Sequence, residues 1–274
     1  MNHDDQDPSL IKAYEDLDFL KREELRPVRL MLELLKPEML QREAGIHSTI
    51  VVFGSARIKD RQEARSQLDE ARRLRDQRPG NPASEHAVAV AERMVANAEY
   101  YDMAREFARI VSASGQTDGR CDYVVTTGGG PGIMEAANRG AHDAGAKTIG
   151  LNIVLPQEQQ PNPFITHGLG FNFHYFAIRK MHFMLRAKAL VAFPGGFGTI
   201  DELFEALTLV QTRKVDPMPV VLVGRAFWEK VLNVQHFVDE GLIAPEDVNL
   251  FRYADTADQA WRHIVDYYAE YGED

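Results

Sequence analysis

One cysteine, Cys121, stands in 274 residues. No internal disulfide can form, which suits a reducing cytoplasm and removes the staple that small secreted domains depend on. Long apolar runs are missing as well. No stretch approaches the roughly 20 apolar residues that span a bilayer. The start, Met1-Asn2-His3-Asp4-Asp5, has neither the basic residues nor the apolar core of a secretory signal. The expectation is a cytoplasmic chain with no membrane partner. Positive charge is scarce: 31 Lys and Arg face 41 Asp and Glu, a formal net charge of −10. That balance argues against a nucleic-acid binder, which normally carries a basic face. It still permits a small anion held by a few basic groups and a helix N-terminus.

Several familiar motifs are absent. No Gly-x4-Gly-Lys-Ser/Thr run exists, so a P-loop is excluded. Gly128 and Gly130 are followed by Ile133 where a dinucleotide fingerprint needs its third glycine, and Gly196 and Gly198 are followed by Asp201. There is no His-Glu-x-x-His and no Cys-x-x-Cys. His167, His174 and His182 share a region, but their spacing is no familiar metal set. Neither a metal nor a cofactor is expected.

What is present is an alternation. Apolar runs at 48–55, 123–127, 147–154, 189–193 and 218–223 predict strands. Amphipathic stretches at 85–113, 132–144, 173–187, 199–213, 226–240 and 256–270 predict helices. Such a chain folds as an α/β, Rossmann-like doubly wound parallel sheet with helices on both faces. Residues 1–46, with Leu10, Tyr14, Leu17, Leu20 and Leu25 at helical spacing, predict an N-terminal helical extension, packed on the core or serving a partner subunit. Residues 47–274 are expected to form a single Rossmann-like domain, in which the polar, arginine-rich 59–84 is an exposed insertion.

Three glycine-bearing loops follow three of these strands: Gly54-Ser55-Ala56, Gly128-Gly129-Gly130-Pro131-Gly132 and Pro194-Gly195-Gly196-Phe197-Gly198-Thr199. Glycines leave backbone N–H groups uncovered, and each following helix aims its partial positive end at its loop. Three such loops at the carboxyl edge of one sheet predict a shared anion site. Thr199-Ile200-Asp201-Glu202 has two readings. It fits a capping box, with Glu202 closing the helix start, or Glu202 is a carboxylate in the cleft one turn from the loop. The pattern alone leans to the cap. Arg179, among the apolar and aromatic residues of 176–183, predicts a half-buried guanidinium in need of an anion.

Together these residues resemble the LOG ("lonely guy") family of nucleoside 5′-monophosphate phosphoribohydrolases, often mislabelled lysine decarboxylases. Pro194-Gly-Gly-Phe-Gly-Thr-Ile-Asp-Glu202 resembles the family's Pro-Gly-Gly-x-Gly-Thr-x-x-Glu motif. Arg179-Lys180 stands where the family has its Arg-Lys helix. Gly128–Ala137 and Val52–Arg57 resemble two further motifs, and the likeness spans about 48–240, closest to the long bacterial members. No residue pattern supports a pyridoxal-phosphate site.

The resemblance implies roles. Arg179 and Glu202 would be the catalytic pair. Gly195, Gly196, Gly198 and Thr199 would hold the 5′-phosphate of an AMP-like or cytokinin nucleotide. Gly129 and Gly130 would line the same pocket, Glu135 would touch ribose or base, and Ser55 would approach from the first strand. The carboxylate would stabilise positive charge on the ribose as the N-glycosidic bond breaks, and pairing with Arg179 would keep it ionised. A homodimer is implied. The alternative is a non-catalytic carrier or sensor of a phosphate-bearing cofactor, similar to molybdenum cofactor carriers, which needs the loops but not the Arg179/Glu202 pair. Phe173, Tyr175, Phe176 and Phe183 are read as core more readily than as base-stacking groups.

Overall fold

A computed structural model describes residues 7–117, 119–154 and 160–272. A 3-10 turn at Pro8–Leu10, the one-turn helix α1 (Leu17–Leu20) and a second 3-10 turn at Glu23–Leu25 lead into α2 (Arg26–Glu43). Then come β1 (Thr49–Phe53), α3 (Arg61–Asp76), α4 (Pro82–Gly115), the hairpin strands β2 (Gln116–Thr117) and β3 (Arg120–Cys121), and β4 (Val124–Thr127). The chain continues through α5 (Ile133–Asp143), β5 (Thr148–Ile153), β6 (Gly170–Phe173), α6 (Phe176–Met184), β7 (Ala187–Ala192) and α7 (Phe197–Gln211). It ends with β8 (Val220–Val223), α8 (Arg225–Val231), α9 (Val234–Asp239), β9 (Arg252–Ala254) and α10 (Ala257–Tyr271).

Seven strands form one all-parallel sheet in the order β6-β5-β4-β1-β7-β8-β9. The doubly wound fold expected from the alternation is what the chain adopts. All five residues of β1 are buried, because a central parallel strand is covered on both faces. Its side chains divide by parity. Ile50 and Val52 join Phe107 and Val111 of α4, Ile133 and Ala137 of α5 and Ile264 of α10. Val51 and Phe53 join Phe183 of α6, Leu203 and Ala206 of α7 and Trp228 of α8. Phe173 and Phe183 are therefore core, whereas Phe176 is half exposed.

The structure corrects several element boundaries. β6 and β9 were not expected: each is short, and the Gly-Phe-Asn-Phe of β6 alternates between exposed and buried residues. The expected helix at 226–240 is two helices, separated at Leu232 and Asn233, whose side chain caps the second. The stretch 173–187 gives its ends to β6 and β7. Residues 7–25 make only short turns, with Leu10, Tyr14 and Leu17 exposed; the continuous helix begins at Arg26, with Pro27 in its first turn. Within 59–84, Asp60 caps α3, and Leu68 packs on Val88 and Ala91 of α4 while most of the helix surface is exposed. Among the described residues no helix is long and apolar enough to cross a membrane.

Candidate active site

Parallel strands deliver their following loops to one edge, so the turns after β1, β4 and β7 meet. Ser55 joins them: its N–H donates to Pro194 O (3.0 Å), and its carbonyl accepts from Ile133 N (3.1 Å). Its hydroxyl oxygen accepts from Arg57 N at 3.1 Å. The expected nucleotide contact from Ser55 is thus accompanied by a plain structural task.

The loop after β7 is open. Its helix, α7, starts at Phe197 with Gly196 as N-cap, and no side chain caps it. The first-turn amides of Phe197, Gly198 and Thr199 therefore lack the side-chain acceptor that most helices supply. This start is three residues earlier than a Thr199 cap would require. Thr199 lies inside the first turn and Glu202 in the second, so the capping-box reading is overturned. The Thr199 side chain is buried against Gly195, where a β-carbon would collide with it.

Glu202 points inward and is only 7% exposed. Arg179, on α6, reaches it across the strand ends: Nη1 lies 3.9 Å from Oε1. The guanidinium is held from behind by Nε donating to Leu151 O at 2.8 Å, and it lies over the rings of Phe183 and Phe176, 5.1 and 5.8 Å from their centroids. A β-carbon on Gly128 would sit 2.7 Å from Nη2; glycine there gives the arginine its space. Burial pushes the Glu202 carboxyl up to about 7, although Arg179 and Lys180 pull the other way. Burial also lowers Arg179, with Glu202 opposing. The expectation that pairing keeps Glu202 fully ionised therefore fails: at 3.9 Å without a hydrogen bond, the attraction is weaker than the desolvation. Lys180 turns to Asp201 (2.9 Å) and Glu205 (3.0 Å) and locks α6 to α7.

The loop after β4 is built differently. Gly129 has a left-handed backbone (φ +72°), and its N–H is already given to Thr127 Oγ1 at 2.9 Å. Asn162 donates its amide to Gly129 O and Gly130 O, both at 3.1 Å, and to Asn138 Oδ1 at 2.9 Å. Asn138 in turn accepts from Thr127 Oγ1 and donates to Thr148 Oγ1, both at 2.7 Å. Gly129 can line the pocket, but its amide is not free to grip a phosphate. Glu135 is not brought to the Arg179–Glu202 pair by any contact; it accepts from Tyr101 Oη of α4 at 3.1 Å.

Two supports escaped the sequence reading. One is the Asn138–Asn162 network. Asn138 sits in the apolar face of α5, a signal that was there to be seen; Asn162, in Pro161-Asn162-Pro163, carries none. The other is α2. Glu33 accepts from His174 N (2.8 Å) and Tyr175 N (3.1 Å), fixing the turn that leads into α6. Glu38 grips Arg186 with both oxygens just beyond the helix end. The helix that carries Arg179 is braced at both ends by α2.

A wide groove of about 1000 Å³ lies away from this pair, toward the amino ends of β7 and β8, with Met181, Leu185, Lys188, Met218 and Tyr267 among its walls. No cluster of His, Cys, Asp and Glu fit for a metal occurs among the described residues.

Fold and site define a doubly wound α/β protein with an open helix N-terminus beside a buried Arg–Glu pair at the carboxyl edge. The model of a family described as possible lysine decarboxylase matches residues 134–264. A cytokinin riboside 5′-monophosphate phosphoribohydrolase of Arabidopsis thaliana is 28% identical over 157 residues, 55% of this chain and 69% of that protein. One of Oryza sativa subsp. japonica, LOG, is 31% identical over 155 residues, 54% of this chain and 61% of that protein. A solved molybdenum cofactor binding protein from Rippkaea orientalis aligns with a TM-score of 0.46 at 17% identity, covering 81% of this chain and 96% of that one. Over about half its length the chain is similar, at modest identity, to these cytokinin riboside 5′-monophosphate phosphoribohydrolases.

Proposed function

We propose that the chain hydrolyses the N-glycosidic bond of a purine or cytokinin nucleoside 5′-monophosphate to free base and ribose 5-phosphate. The observation that carries this reading is the placement of Glu202. A buried carboxyl that titrates at about 7 stands in the second turn of a helix whose first turn offers uncapped amides. A 5′-phosphate at that helix start would fix the ribose. Glu202 would then face the developing oxocarbenium and take a proton from the attacking water. Water's oxygen bonds C1′, the C1′–N electrons leave with the base, and Glu202 returns the proton to it. A group near neutrality is suited to both transfers. Arg179, anchored on Leu151 O, would hold the substrate and orient Glu202.

The test is incubation of the protein with a panel of nucleoside monophosphates, each scored for free base. Release of adenine from AMP, or of base from a cytokinin ribotide, supports the reading; tight nucleotide binding without release points to the carrier instead, which gives the Arg179–Glu202 pair no task. A homodimer belongs to the same proposal: Phe176 and Met181 of α6, Leu185 at its end and Phe197 of α7 are exposed apolar residues beside the site. Light scattering that returns a monomer mass would remove it.

A further inference from the structure

Three buried asparagines crowd the loop after β4, and two of them are fully occupied. Asn138 uses its amide on Thr148 Oγ1 and Ile149 O, and its oxygen on Thr127 and Asn162. Asn162 uses its amide on Gly129, Gly130 and Asn138, and its oxygen on Phe164 N at 3.2 Å. The third, Asn152, is equally buried at 8% exposure. Its Nδ2 has no hydrogen-bond partner among the described residues. The same residue type, at the same depth, is satisfied twice and unsatisfied once.

Position makes the difference meaningful. Asn152 lies at the carboxyl end of β5, immediately after Leu151, whose carbonyl anchors Arg179. Its side chain lies against the Cα of Gly129: a β-carbon there would be 2.7 Å from Cγ and Nδ2. It therefore sits where the glycine loop and the arginine anchor converge. A buried donor left unmade is a standing cost that a folded protein rarely carries without use.

We infer that Asn152 is a substrate-contacting residue whose amide donates to an acceptor of the bound nucleotide beyond the phosphate, on the ribose or the base. This rests on the nucleotide reading of the site. The phosphate falls to the helix start of α7, since the amide of Gly129 is spent on Thr127. Asn152 supplies on the β4–β5 side the donor that the Gly129 backbone cannot.

The experiment measures binding of two probes to the wild-type chain and to Asn152→Ala and Asn152→Leu. One is formycin 5′-monophosphate, whose carbon-linked base the reaction cannot cleave; the other is ribose 5-phosphate. Thermal unfolding without ligand is followed in parallel. Both variants should lose about tenfold in affinity for formycin 5′-monophosphate, the scale of a buried hydrogen bond. Their unfolding midpoints should hold or rise, because no internal bond is lost. A loss shared with ribose 5-phosphate puts the acceptor on the sugar; a loss confined to the nucleotide puts it on the base. Unchanged affinity in both variants overturns the inference and leaves the nucleotide reading standing, as does a clear drop in the unfolding midpoint of both. A wild-type chain that binds neither probe sinks the nucleotide reading and the inference with it.

Discussion

The loops after β4 and β7 are both glycine-rich, follow the two strands that flank β1 and open helices, yet their hydrogen bonds are disposed in opposite ways. After β4 the backbone is tied down: the Gly129 amide goes to Thr127, and the Gly129 and Gly130 carbonyls go to Asn162. After β7 the helix start has no side-chain cap at all. Glycine content therefore does not identify an anion cradle. What distinguishes the two is whether polar side chains beneath the loop have already claimed its hydrogen bonds. The first loop is scaffold, giving Arg179 room at Gly128; the second is receptive.

The largest expected effect falls on the receptive side. Glu202→Gln should lose roughly 10²-fold or more in base release while nucleotide still binds, the scale of a positioned acid–base group. The same variant tests the burial of the carboxyl. Its folded pKa, about 7, exceeds its ordinary 4.5. The native state thus binds more protons between those values, and stability falls as pH rises through that window. Glutamine removes the penalty. At pH 8 the variant should be the more stable protein, by up to roughly 3 kcal/mol, and at pH 4 the difference should vanish. Full activity together with pH-independent stability would return Glu202 to an ordinary helix residue.

Asn162→Ala probes the scaffold side. It strands the Gly130 carbonyl and takes one of two donors from Gly129 O and from Asn138 Oδ1, and an unmade buried hydrogen bond costs about 1–3 kcal/mol. Denaturant unfolding should register a loss of about that size. If the variant keeps its stability and only raises KM, the two loops are not different in kind. Thr199→Val is the smaller counterpart on the receptive side. KM for a nucleoside monophosphate should rise several-fold, with unfolding shifted by less than about 1 kcal/mol, the value of one neutral hydrogen bond. An equal change with a nucleoside lacking phosphate would remove Thr199 from the phosphate site.

Much of this was legible in the residues. Strands β1, β4, β5, β7 and β8 announce themselves as short, largely apolar runs because parallel strands are buried on both faces. The Arg179 and Glu202 positions were marked by motif and by apolar surroundings. The short edge strands were not, since three or four half-exposed residues carry no clear period. Nor was the start of α7. Thr-x-x-Glu is a good capping pattern, but glycines at 196 and 198 let the helix begin earlier without a cap side chain. The free or spent state of a loop amide is decided by residues distant in sequence, here Asn138 and Asn162, and no local pattern reports it.

The smallest effect belongs to the brace. Glu33 lies 146 positions from Arg179 in sequence but holds the entry to the helix that carries it, accepting from His174 N and Tyr175 N. Loss of hydrogen bonds of this kind costs about 1 kcal/mol, so Glu33→Ala should lower the unfolding midpoint slightly. Glu38→Ala, which frees Arg186 at the far end, should do the same. The two should part in the pH profile of base release. Arg179 sits at the fourth residue of α6, within the turn that Glu33 secures. If that turn loosens, Arg179 withdraws part of the charge that holds Glu202 down, leaving Lys180, Asp201 and Glu205 as its charged neighbours. The limb governed by Glu202 should then move to higher pH in Glu33→Ala, move less in Glu33→Gln, which retains one acceptor, and stay in place in Glu38→Ala. Identical profiles in all three would make α2 a stabilising appendage with no hold on the chemistry.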